Sequence, residues 1–290
     1  MTSPSDTDIL KDEIQTGLFS AIPEREYHSM RHPSGMWIPS SSTLKRLKVS
    51  PKACKWTLDN PGLGSTAVME FGSAFHCRLL EHERYEKDYE VFNGARMTQA
   101  NIADAADRGK LLIRARDLVH QTCMLGALDK NSAAKHIMEK VEDREVTVIW
   151  NDPGSDVLCR GRPDALVPEW ETVVDIKTSK SATRESFQRT LADFQHHISA
   201  AMYIDGLRWN NYEYSSFIFI VIQREPPYEV AVFELDPEDL DRGRRQYKAL
   251  LAEWKLCMET NHWPDRVEGV QVIGLPSWVR RQLDGEESWK

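Results

Sequence analysis

Two short stretches of the chain carry residue types that can cut a phosphodiester: Arg162-Pro163-Asp164 and, after ten intervening residues, Asp175-Ile176-Lys177. The second closes Thr172-Val173-Val174, a β-branched run that reads as a buried strand. Side chains alternate along a strand, so Asp175 and Lys177 share one face, about 7 Å apart at ~3.3 Å per residue. Ile176 turns to the opposite, apolar face, which leaves its backbone carbonyl beside the two polar side chains. Asp164 follows another strand-like run, Val157-Leu158-Cys159-Arg160, after the turn signal Asp152-Pro153-Gly154. A hairpin joining the two runs is expected to bring Asp164 next to Asp175. Two carboxylates and a carbonyl form a hard oxygen set suited to a magnesium-type cation. A lysine at its edge can hold an anion or position a water. An Asp-Ile-Lys triplet at a strand end is common by itself; the preceding Arg-Pro-Asp and the hairpin spacing strengthen the signal, and the rest of the chain is needed to decide it.

The elements that must position these residues are read from composition and periodicity. A chain of 290 residues, 41% of them hydrophobic, can build one large α/β domain or two small ones around a real core. Its formal net charge of −8 does not mark the whole surface as a nucleic-acid binder. A local basic channel can coexist with an acidic exterior, and two clusters are candidates for it. One is Lys45, Arg46, Lys48, Lys52 and Lys55; the other is Arg242, Arg244, Arg245 and Lys248. Both read equally as solvated helix faces. The five cysteines, at 54, 77, 123, 159 and 257, are odd in number and form no C-x-x-C pair, which argues against a disulfide framework or a zinc site. Free thiols fit a reducing cytosol, so a cytoplasmic protein is expected. The polar, acidic first 31 residues do not read as a signal peptide, and no run of 18 apolar residues is present, so no membrane span is expected.

Residues 1–35 are expected to form a loosely ordered arm and residues 36–290 a single domain with a helical first part and a C-terminal helix and tail. Ser40-Ser41-Ser42-Thr43 supplies helix N-cap candidates. Val68, Phe71, Phe75 and Leu79 recur at helical steps and predict an amphipathic helix from Ser65 to about His82. Residues 99–140 read as helical, Glu145–Trp150 as a strand, and Thr183–Trp209 as one long helix. Ser216–Ile222 and Tyr228–Leu235 read as two more strands, and a last helix follows the N-cap Asp236 and runs to about Thr260. The order predicts an α/β fold, a central mixed sheet flanked by helices. The absence of a Gly-rich phosphate loop, a G-x-S-x-G elbow and an H-E-x-x-H motif disfavours nucleotide-triphosphate hydrolysis, serine hydrolysis and zinc proteolysis.

Cys159-Arg160-Gly161-Arg162-Pro163-Asp164 followed by Val174-Asp175-Ile176-Lys177-Thr178 resembles the PD-(D/E)XK nuclease core, and more narrowly the RecE-type exonuclease VIII proteins of phages and prophages. Phe71-Gly72-Ser73-Ala74-Phe75-His76 is similar to that family's histidine-bearing helix, and Trp263-Pro264 with Leu275-Pro276-Ser277-Trp278 to its C-terminal signature. The similarity spans roughly residues 36–280. It implies Asp164, Asp175 and His76 as metal ligands, joined by the Ile176 carbonyl, with Lys177 steadying the attacking water or the scissile phosphate. It implies Mg2+ as cofactor, with Mn2+ substituting. It implies 5′-to-3′ resection of duplex DNA ends, a single-strand annealing protein as partner, and a ring-like homo-oligomer, a tetramer. The long helix of such proteins usually carries Gln-x-x-x-Tyr; here Tyr203 matches but the glutamine position holds Ser199. Either Ser199 does a reduced version of the job, or Gln195 one turn back substitutes, or a DNA contact is weakened. His196 and His197 read as helix-surface or DNA-groove residues, and Glu145 as either a strand-edge charge or a further catalytic acid. Two alternatives remain: an endonuclease with the same core, and a non-catalytic DNA-end-binding protein.

Overall fold

The computed structural model describes residues 14–20, 22–61 and 66–284. Residues 1–13 of the expected arm, Gly62, Leu63 and Gly64 of the loop after Pro61, and residues 285–290 of the tail lie outside them, as does the Trp278 side chain. Strand β1 (Gly17–Phe19) and helix α1 (Glu24–Ser29) lead into helices α2 (Ser41–Val49), α3 (Pro51–Asp59), α4 (Ala67–Leu80) and α5 (His82–Asp88). Next come β2 (Tyr89–Phe92), α6 (Gln99–Asp107), β3 (Leu111–Arg114), α7 (Ala115–Lys130) and α8 (Ser132–Glu139). Strands β4 (Asp143–Arg144), β5 (Thr147–Asp152), β6 (Val157–Gly161), β7 (Ala165–Val167) and β8 (Thr172–Ser179) follow. The chain then runs through α9 (Arg184–Asp193), α10 (His196–Trp209), β9 (Ser216–Gln223), β10 (Val230–Glu234), α11 (Pro237–Thr260) and α12 (Ser277–Leu283).

A five-stranded mixed sheet, ordered β10-β9-β8-β7-β4, holds the centre. Strands β8 and β9 are parallel, linked by α9 and α10, and the other neighbours are antiparallel. A strand buried on both faces reads as a continuous apolar run; β9 does from Phe217 to Ile222, while β8 is apolar at Val173, Val174 and Ile176 and is interrupted by Asp175 and Lys177. Val174, Ile176, Ile220 and Ile222 pack with Phe75 of α4 and Met124 and Leu128 of α7. Val173, Phe217, Phe219 and Val221 pack on the other face with Ile198 and Met202 of α10 and Tyr247 and Trp254 of α11. Each such side chain contributes about 1.5–3 kcal/mol by leaving water. Two smaller sheets accompany it, an antiparallel β1-β5-β6 and a parallel β2-β3. No helix among the described residues is long and apolar enough to cross a membrane.

Four expectations need correction. The strand that pairs with β8 is the three-residue β7, not the run at 157–160. That run is β6, and its partner is β5. The Asp152 carboxylate accepts the Ser155 N–H at 2.9 Å and the Ser155 hydroxyl at 2.8 Å, which closes a local β5–β6 hairpin. Pro163 has no N–H to extend the ladder, and the chain changes sheets across Arg162-Pro163-Asp164. The long helix is broken: Gln195 adopts a left-handed φ of 52° between α9 and α10. Helix α11 closes on the first turn of α10 there, so tightly that a Cβ on Gly243 would meet the His197 carbonyl oxygen. The stretch at 99–140 contains β3, whose Leu111–Arg114 is too short to show a period.

The described part of the arm is structured. Strand β1 pairs with β5, Gly17 opposite Ile149. Phe19, Ile22, Tyr27 and Met30 bury themselves with Ile38 and Ile149. The guanidiniums of Arg160 and Arg162 lie 4.8 and 4.4 Å from the Tyr27 ring centroid, and Arg162 donates to the Ile22 carbonyl at 2.7 Å. The polar average of the segment hides these four apolar anchors.

Candidate active site

The β7–β8 register pairs Ala165 with Val174, which sets Asp164 beside Asp175 at the sheet's end. The Asp164 carboxylate accepts the Ile176 N–H at 2.6 Å and is thereby aimed across the strand pair. Alternation along β8 turns Asp175 and Lys177 to one face, where they form a close ion pair, and buries Ile176 completely on the other. The Lys177 ammonium also stands 3.5 Å from the Ile176 carbonyl oxygen. His76 reaches the same point from α4, which is seated against the sheet by the fully buried Phe75. Its Nδ1 is 3.5 Å from the Asp164 carboxylate. Glu145 sits between β4 and β5 in a left-handed conformation, φ 51°, and donates its N–H to the Asp164 carbonyl at 3.0 Å. An uncommon backbone conformation for a non-glycine residue persists where its surroundings impose it. One ligand atom from each of His76, Glu145 and Asp164 lies within 4.8 Å of the others.

The charges are mutually dependent. Burial pushes the Asp164 carboxyl up, but His76, Lys177 and the Ile176 N–H outweigh it and hold it below the usual range. Burial lowers His76, and the adjacent Asp164 reverses this and raises it. Asp175 is raised, because burial outweighs the Lys177 charge. Lys177 is raised, its desolvation overcome by Asp175 and Asp164. Glu145 is pushed up to about 8, first by burial and then by the Asp164 charge. Three carboxylates crowded into a dry corner, with an imidazole and a carbonyl beside them, are a donor set that fits a hard divalent cation. His76, Glu145 and Asp164 are the three whose ligand atoms converge and could hold one; Asp175, ion-paired with Lys177, and the Ile176 carbonyl stand beside them.

These groups line one side of a cleft of about 540 Å3. The other side comes from α2 and α10 and includes Ser41, Lys45, His196, Ser199 and Tyr203. The Lys45 ammonium donates to the Ser199 hydroxyl at 3.0 Å. Tyr203 lies against Gly161, where a Cβ would stand 2.8 Å from its ring, so the strand must carry glycine there. Gln195 is in the helix break, does not line the cleft, and its buried Oε1 has no partner, so it does not take the missing glutamine's place. His196 is half-buried at the cleft wall, against the rings of Phe187, Phe194 and Phe219, which fits the groove placement expected for it rather than an open helix surface. Burial, with Lys177 and Lys45 nearby, drives its pKa down to about 2, so it is neutral.

Sequence reasoning placed Lys45 in a surface patch and missed the ion-paired rim of Glu24, Glu81 and Arg84. No spacing rule marks either, because both depend on helices packing together across the cleft. Four residues of the two basic clusters are paired within the chain. Lys52 pairs with Asp265, Lys55 with Asp59, Arg242 with Glu238 and Asp239, and Arg244 with Asp205 and Asp241.

Residues 40–276 match the family model of a PDDEXK-like domain of unknown function (DUF3799). Among solved structures, a "Putative exonuclease" from Eubacterium rectale superposes with a TM-score of 0.58 at 13% identity, over 86% of this chain and 94% of that one. A "phage related exonuclease" from Haemophilus somnus 129PT matches with a TM-score of 0.36 at 11% identity, over 78% of this chain and 96% of that one. No curated protein matches the sequence.

Proposed function

The chain belongs to the family of PDDEXK-like domains, and from that premise we propose that it is a divalent-metal-dependent nuclease that resects the ends of linear duplex DNA. The observation that carries the reading is the meeting of Asp164, Asp175, Lys177 and the Ile176 carbonyl across β7 and β8, with His76 and Glu145 brought to the same point. A bound Mg2+, or Mn2+ in its place, supplies Lewis-acid charge at the phosphate and lowers the pKa of a water. The chain's own residues do the rest. Asp164, Asp175 and the Ile176 carbonyl would hold and orient the ion, with His76 as a further ligand. Glu145, whose proton is held by burial and the Asp164 charge, would release it to solvent if a cation were bound beside it. Lys177 holds the attacking water or a phosphate oxygen in line. Tyr203 and Ser199 face the substrate from the opposite wall.

The finer reading follows the resemblance to the RecE-type exonucleases: 5′-to-3′ digestion, exposure of 3′ single strands for an annealing partner, a ring-shaped tetramer, and a place in the cytoplasm. The deciding assay offers purified protein a closed circular duplex and the same DNA linearised, with Mg2+ and at low salt. The expected result is steady degradation of the linear form and survival of the circle, because an enclosing channel admits duplex only at a terminus. Cleavage of the circle favours an endonuclease instead. Binding of ends with no product in Mg2+ or Mn2+ favours a lapsed site.

A further inference from the structure

Lys45 is the unexplained charge of this cleft. It rises from the second turn of α2 and touches Ser199 of α10, and among the described residues no carboxylate forms an ion pair with it. Three others of the same basic run are partnered and Arg46 is exposed to solvent: Lys48 donates to the Gln246 carboxamide oxygen at 2.7 Å, Lys52 lies 3.0 Å from Asp265, and Lys55 lies 2.6 Å from Asp59. Lys45 instead faces the second cleft lysine, Lys177, and burial with that like charge holds its pKa down at about 8 against the pull of Asp175. A half-buried ammonium with a hydroxyl as sole side-chain partner is costly unless an anion joins it. The contact is not needed to fasten α2 to α10. Leu44 and Leu47, both fully buried, already pack there with Ile198 and Met202.

We propose that Lys45, steered by Ser199, is a second phosphate-contacting lysine of the site, supplying from α2 the DNA contact that the missing glutamine at position 199 would make. The ammonium stands 3.0 Å beyond the serine hydroxyl, about the extra reach of a glutamine side chain at that position. The inference rests on the nuclease reading of the same cleft, so its test needs a readout that survives the failure of that reading. Short linear duplex is titrated by fluorescence anisotropy in Ca2+ across a range of salt, and degradation is followed separately in Mg2+. Lys45→Met keeps the aliphatic stem and removes the charge. It should weaken duplex binding about tenfold and lower the salt slope by about 1. Its Mn2+ affinity should stay at the wild-type value and its melting temperature should not fall, since the buried charge that is removed costs the folded state. Lys45→Arg should bind within about threefold of wild type, and Ser199→Gln added to Lys45→Met should recover most of the loss in both binding and kcat/KM. Wild-type affinity and salt slope in Lys45→Met would overturn the proposal. So would a lowered melting temperature in Lys45→Met that Lys45→Arg restores without restoring DNA binding, which would make the pair a structural link. A wild-type protein that binds duplex but never degrades it sinks the nuclease reading while the binding arm still judges Lys45.

Discussion

The two walls of the cleft were assembled in different ways. Asp164, Asp175, Ile176 and Lys177 lie within one strand pair, and a three-residue strand suffices to set their register. The facing wall joins Lys45 to Ser199, which stand 154 residues apart, on helices that meet only because their apolar faces share a core. The first wall concentrates negative charge and backbone oxygens; the second presents an ammonium, a hydroxyl and a phenol. On the proposed nuclease reading, a hard cation belongs on one side and a phosphate's outer oxygens on the other. A catalytic wall built from a local motif can be read from spacing, whereas a substrate wall built from packing cannot.

The contrast breaks most sharply at the two aspartates. Asp164→Ala and Asp175→Ala should each cost roughly a thousandfold in DNA degradation, about 4 kcal/mol in the barrier, with the fold retained. Both are buried at the end of the strand pair but belong to none of the apolar clusters, so circular dichroism should be unchanged. Wild-type digestion by either variant would show that the acidic wall is not where the chemistry happens.

Lys177 tests whether the walls are functionally separate, because it is a cation embedded in the acidic one. Lys177→Ala should spare Mn2+ binding by calorimetry and lower the rate, by roughly a hundredfold as expected for a positioned charged donor. Loss of Mn2+ binding with an intact fold would instead make Lys177 a structural partner of Asp175. His76→Ala should do less, about tenfold in Mn2+ affinity or rate, since an imidazole is the least essential ligand of a hard cation. A His76→Ala defect as large as that of Asp175→Ala would move the histidine to the centre of the site.

Legibility followed the same division in the rest of the molecule. Strands β8 and β9 were readable because they are long β-branched runs, and α4 because four apolar residues repeat at helical spacing. The mixed α/β architecture and the meeting of Asp164 with Asp175 came from those elements. Strand β7, with three residues, has no period to detect, so the wrong run was paired with β8. The break at Gln195 was invisible because no proline or glycine stands there; the close approach of α11 at Gly243 accompanies it. Glu145 was ambiguous for a related reason: its left-handed backbone is a tertiary fact, and a glutamate next to a strand says nothing of it.

The smallest effect expected is on stability, and it asks whether Glu145 belongs to the acidic wall. Burial and the Asp164 charge raise its folded pKa from an ordinary 4.5 to about 8, against the opposing pull of His76 and Arg162. For an acid raised on folding, the native state binds the proton more tightly than the unfolded chain. The stabilisation is therefore fully present below about pH 4.5 and is lost progressively as pH rises through about 8. His76, also raised, adds a loss of the same sign above its ordinary range, whereas Lys45, depressed to about 8, favours the folded state as pH climbs toward 10.5. The difference between wild type and Glu145→Gln isolates the one group. In metal-free buffer the wild-type melting temperature should fall between pH 5 and 8 more steeply than that of Glu145→Gln, which keeps a neutral side chain throughout. Saturating Mn2+ should remove most of that difference at pH 8, since a cation favours the ionised carboxylate that burial penalises. Parallel melting curves with and without Mn2+ would return Glu145 to a plain strand-edge charge and leave the acidic wall to Asp164, Asp175 and His76.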